Sequence, residues 1–230
     1  EFLIEDCDAD PRGANELCPH PPIYLAAWSG HHEVIRYFLE SPKCGPIKPD
    51  ECQVEEGVSP LHAACRAGSP EAVKLLLEHG ADRYLARKDT GIAPLHLACL
   101  HGKLDVVKLL QPLGYPLPKK LPFAESKGYT SLHLAIIGQF TEVVEYLFTI
   151  GLAREELTAR ADERRILPLH LAAESANTRV VKMILDHYEQ IQQPGVTRES
   201  LLINARDATG GTALHAAAYS GNQECVEMLL

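Results

Sequence analysis

The chain has 230 residues, 46% hydrophobic, 23% charged and only 6% aromatic, with a net charge of −9 and a pI near 5.6. Its acidity argues against nucleic acid or an anionic membrane as the main partner. No apolar run approaches the ~20 residues that span a bilayer, and no charged start followed by an apolar stretch marks a signal peptide. The length leaves room for one large domain, two small ones or an array of repeats.

In chain order the sequence repeats itself. Five Leu-His dipeptides recur, at Leu61-His62, Leu95-His96, Leu132-His133, Leu169-His170 and Leu214-His215, and Ile23-Tyr24 is a degenerate sixth copy. Successive second positions lie 38, 34, 37, 37 and 45 residues apart. Residues 1–18 read as the remnant of a preceding unit plus a linker, because Leu3 to Asp10 resembles Leu75 to Asp82. Repeats then fall at 19–55, 56–88, 89–125 (with a proline-rich extension at 111–122), 126–163, 164–207 (with a long extension at 186–203) and 208–230. The last stops at the equivalent of Leu77, so the sequence is expected to be a segment cut from a longer array.

The best-formed copy shows what each unit folds into. Gly57 breaks the chain, Ser59 can cap a helix and Pro60 suits its first turn. Leu61, Ala64 and Cys65 share one face, and Gly68 stops the helix. Ser69-Pro70 opens a second helix whose stripe is Ala72, Val73, Leu76 and Leu77, and Gly80 ends it. Such a helix–turn–helix cannot bury its own apolar face, so units must stack. Extra residues in the longer copies are expected in connections rather than helices. In the fourth copy Gln139 takes the place of the turn glycine and in the fifth Ala176 does, which predicts different turns there.

Chemistry is sparse. There is no glycine-rich phosphate loop, no GxSxG and no HExxH. The seven cysteines include no CxxC, the spacing of Cys44 and Cys52 fits no standard zinc site, and His31-His32 project in different directions on a helix. No metal, cofactor or catalytic residue is expected. Reduced thiols in a cytoplasmic setting, with a nuclear one also open, suit this cysteine usage.

The carrying segments, Ser59-Pro60-Leu61-His62-Ala63-Ala64, Ala93-Pro94-Leu95-His96-Leu97-Ala98, Thr130-Ser131-Leu132-His133, Leu167-Pro168-Leu169-His170 and Thr212-Ala213-Leu214-His215, resemble the ankyrin repeat family in register with its ~33-residue period. The second-helix ending His79-Gly80-Ala81-Asp82 matches as well. The resemblance implies an all-α solenoid of stacked helix pairs, with β-hairpin-like fingers and a concave face. It also implies that contacts come from the finger tips and from the exposed pair before each turn. On the concave face these would be Trp28, Arg66, Leu100, His101, Ile137, Glu174 and Tyr219. Weaker finger candidates are Glu55, Glu56, Val58, Ile92, Lys127, Tyr129, Arg164 and Arg165.

Several alternatives stay open at this stage. Trp28 could instead pack on the irregular segment 11–21, Ile137 could be drawn inward by the altered turn, and the charged residues could be ordinary solvated surface. The expected function is a non-enzymatic module, monomeric as an isolated fragment, that binds another protein or an extended peptide. The alternative is a structural spacer or regulatory arm of a larger channel, kinase or adaptor, with mainly intramolecular contacts.

Overall fold

In the computed structural model, residues 10–13, 20–50, 57–111, 128–161, 163–191 and 202–230 are described. Most of the N-terminal remnant, most of the proline-rich extension, the second half of the 186–203 extension, Glu55, Glu56 and Lys127 lie outside them.

Proline, hydroxyl and glycine punctuation sets the helices. α1 (Pro22–Trp28) and α2 (His32–Glu40) form the first pair, followed by a single 3-10 turn at Pro42–Cys44. Next come α3 (Pro60–Ala67) with α4 (Pro70–Glu78), α5 (Pro94–Leu100) with α6 (Leu104–Leu110), and α7 (Ser131–Ile137) with α8 (Thr141–Thr149). A short α9 (Leu152–Glu156) precedes α10 (Pro168–Glu174) with α11 (Thr178–Ile191), and α12 (Ala213–Ser220) with α13 (Gln223–Leu229). Side-chain caps hold several starts: the Ser69 hydroxyl accepts from Ala72 N–H at 3.4 Å and Asn222 Oδ1 from Cys225 N–H at 3.0 Å. None of these helices is long and apolar enough to cross a membrane.

The chain divides into two compact units, one of residues 10–98 and 105–111 and the other of 99–104 and 128–230 among those described. In the first, α1 packs on α3 and α2 on α4. In the second, α7, α10 and α12 form one row, while α8, α11 and α13 form another. This is an all-α repeat solenoid. Three of the first helices, α3, α7 and α10, are buried almost all round: every residue of 61–65, 131–136 and 168–173 is buried. Ala, Cys and Ser at these places let neighbouring helices approach closely.

The structure corrects several expectations. Gln139 (φ 62°) and Ala176 (φ 55°) adopt the same left-handed conformation as Gly30, Gly68, Gly102 and Gly221. The turns are therefore alike, held by stacking at the expense of the residue's own preference. Leu75, not Leu77, completes the buried stripe of α4; Leu77 is half-buried. α11 runs on to Ile191, so part of the extra length in the fifth copy is helical. The connections also form tight turns more than paired strands, with one antiparallel bridge, Ala161 to Ile166, among the described residues.

Candidate binding groove

The recurring histidines fix the groove. In the first unit, Ser59 N–H donates to His62 Nδ1 at 3.2 Å, with the Ser59 hydroxyl 2.9 Å away. A backbone N–H can only donate, so Nδ1 is bare and Nε2 carries the proton, donating to the Ile92 carbonyl at 3.0 Å. The second unit repeats the device. His133 Nδ1 accepts from Thr130 N–H at 3.3 Å while its Nε2 reaches the Ile166 carbonyl at 3.2 Å. His170 accepts from Leu167 N–H at 3.3 Å and reaches the Ala205 carbonyl at 3.1 Å. Each ring thus ties a helix start to the segment leading into the next helix pair.

Neutral imidazole is required for this. Burial pushes His62 and His96 down to about 4 from the ordinary 6.5, and lowers His170 as well.

Two connecting segments of the second unit then wall a groove over α10 and α12. Asp207 holds its own turn: Oδ1 accepts from Thr209 N–H at 2.8 Å, the Thr209 hydroxyl at 2.7 Å and Gly211 N–H at 2.8 Å. The Thr209 hydroxyl foremost, with those backbone donors, keeps the Asp207 carboxyl below its ordinary value and therefore ionised near neutrality. Ala208 N–H donates to the Arg164 carbonyl at 2.7 Å, and Arg160 Nη1 to the Arg206 carbonyl at 2.9 Å, which locks one segment to the next. The groove is open and holds about 290 Å³. α10 contributes His170 and Glu174, and α12 contributes His215, Ala216 and Tyr219. Arg164 and Ile166 line one wall, and Asp207, Thr209, Gly211 and Thr212 the other.

Three residues singled out from the sequence meet here: Arg164, Glu174 and Tyr219. Tyr219 is 91% exposed and Glu174 is exposed. In the first unit, Trp28 and Arg66 meet each other, with the guanidinium 4.4 Å from the Trp28 ring centre. Tyr24 lies 6.1 Å from Trp28 and stacks on His20 at 4.2 Å, so residues near the irregular segment reach Trp28 through Tyr24. Trp28 still leaves 42% of its surface open. Leu100 and His101 are half-buried. Ile137 stays 43% exposed and is not drawn inward. Beside it stands Phe140, which the sequence reading missed; a Cβ added to Gly102 or Gly138 would collide with its ring.

The finger expectations need correction. Val58 is only 8% exposed and cannot meet a partner; Ile92 and Tyr129 are half-buried, the latter edge-on to His133 at 5.9 Å. All three stand four residues before a repeat histidine, as does the buried Ile166. An apolar residue recurring at a fixed place in the motif was the signal for an inward anchor. Arg164 and Arg165 are exposed. Asp207 and Thr209 were missed too, although Asp-x-Thr-Gly is the pattern of a side-chain-capped turn.

A family model described as ankyrin repeats (3 copies) matches residues 1–86, 23–120, 83–158 and 154–230, which together run the length of the chain. The 26S proteasome non-ATPase regulatory subunit 10 of Dictyostelium discoideum is 41% identical over 61 residues. That match covers 26% of this chain and 25% of the relative.

Proposed function

The chain belongs to the ankyrin-repeat family, whose repeats are in general protein–protein interaction modules, and from that premise we propose that its second unit takes a segment of another protein into the groove over α10 and α12. The observation that carries this reading is the convergence of Arg164, Glu174 and Tyr219 on one groove from three separate segments. An almost fully exposed tyrosine is costly to leave in water and is a residue type enriched at interaction hot spots. His62 and His170 spend both ring nitrogens on backbone groups, which supports a non-enzymatic role. The name of the Dictyostelium relative, a non-ATPase regulatory subunit, agrees with this over the quarter of each chain that matches.

A partner in the cytoplasm or nucleus suits the buried cysteines Cys44, Cys65, Cys99 and Cys225, which form no disulfide among the described residues. The domain divisions at 19–55, 56–88, 89–125, 126–163, 164–207 and 208–230 are proposed on the same footing.

Selection of short peptides from a displayed random library against the 230-residue chain tests the proposal. Selected peptides should lose about tenfold or more in affinity when Tyr219→Ala or Glu174→Ala is introduced. Peptides that bind both variants as well as the parent chain would sink it.

A further inference from the structure

The occupant of the groove is decided by what the groove leaves unsatisfied. Glu174 is exposed at the last residue of α10 and has no ion pair or hydrogen bond among the described residues. A carboxylate there faces the negative end of the helix dipole, where a cation would be favoured, so its position does not serve helix stability. Asp207 spends Oδ1 on three donors of its own turn, and its Oδ2 accepts no hydrogen bond among the described residues. The carboxylate is thereby held in a fixed orientation at the groove wall.

Tyr219 offers its ring face, 91% exposed and without a ring neighbour among the described residues. The cation lining the groove, Arg164, is already engaged in an interaction of its own. His170 is neutral, held so by burial, and adds no positive charge. A volume of about 290 Å³ is at the lower end of small-molecule sites and suits one or two side chains of a larger ligand.

We infer that the partner segment is an extended peptide carrying an arginine, whose guanidinium lies on the Tyr219 ring and bridges the Glu174 and Asp207 carboxylates. This rests on the groove reading proposed above and specifies its ligand. Arginine fits better than lysine because its planar fork can meet two carboxylates while its flat face stacks on an aromatic ring. The chain's net charge of −9 adds long-range attraction for a cationic segment.

The test uses the peptides selected from the random library. Each is resynthesised with arginine replaced by citrulline, which keeps the shape and removes the charge, and is titrated against the parent chain and Glu174→Gln. Glu174 is exposed, so the variant should fold as the parent does, and circular dichroism melting checks this. Asp207 is left intact because its Oδ1 holds the turn. The selected peptides should share an arginine, and citrulline should weaken binding to the parent chain about tenfold. In Glu174→Gln the citrulline penalty should shrink to about threefold or less, because the charge it removes has lost its partner. Peptides that depend on Tyr219 but show no cationic residue, or carry Asp and Glu instead, would overturn this inference while leaving the groove as a binding site. Peptides insensitive to every groove variant would overturn both.

Discussion

His62 shows how one residue type serves two levels of structure. Its Nδ1 takes the Ser59 N–H at the start of α3, and its Nε2–H is spent on the Ile92 carbonyl 30 residues later. Recurrence in the sequence marked these histidines as a feature of the repeat, but the partner carbonyls were not legible, since a backbone acceptor leaves no mark on residue identity. The arrangement has a consequence for pH. His62 and His96 sit at about 4 in the folded chain against 6.5 when unfolded, with burial the main cause in both. Between those values the unfolded chain binds more protons than the folded one, so stability is full above pH 6.5 and falls as pH drops toward 4. The loss is on the order of 2–3 kcal/mol per histidine. Asp89 and Asp207, both held below the ordinary 3.8, add their own loss only at lower pH. Urea midpoints should therefore be level above pH 6.5 and decline steeply below it, and a level profile down to pH 4 would refute the neutral-histidine account.

Helices are the elements that the sequence specifies best, because Pro at their starts and Gly at their ends act locally. Turns are specified less well. Gln139 and Ala176 gave no residue-level reason to adopt positive φ, yet stacking imposes the conformation that glycine supplies elsewhere. The strain should be recoverable: Gln139→Gly and Ala176→Gly should each raise stability by about 0.5–1 kcal/mol, the relief of left-handed backbone less the greater freedom of unfolded glycine. Gly138→Ala should act oppositely, since the added Cβ would strike the Leu100 carbonyl and the Phe140 ring. Thermal or urea unfolding of the three variants reads both signs, and destabilisation by the first two would contradict the strain argument. α9 was invisible for a different reason. It has five residues and no side-chain cap of its own; its buried Glu156 accepts the Leu132 N–H at 2.7 Å, a contact spanning 24 residues. Pattern reading within one repeat cannot reach that far.

At the scale of the whole molecule, the fold was readable because the same motif recurs and each copy buries the face its neighbour exposes. The groove was readable in part. Position within the repeat pointed to Glu174 and Tyr219 on the concave face and to Arg164 at a finger. Asp207 and Thr209 came together with them only through the turn hydrogen bonds that follow His170. The Trp28–Arg66 contact shows the limit of reading by position, because two residues expected to meet a partner also satisfy each other. What separates the groove from that pair is its concave volume of about 290 Å³ and the Glu174 carboxylate, which has no partner among the described residues. The most direct test of the account is amide hydrogen exchange of the 230-residue chain with and without a saturating library-selected peptide. Binding should slow exchange across 163–175 and 205–220 and leave 22–40 unchanged; slowing confined to the segment around Trp28 and Arg66 would contradict the account.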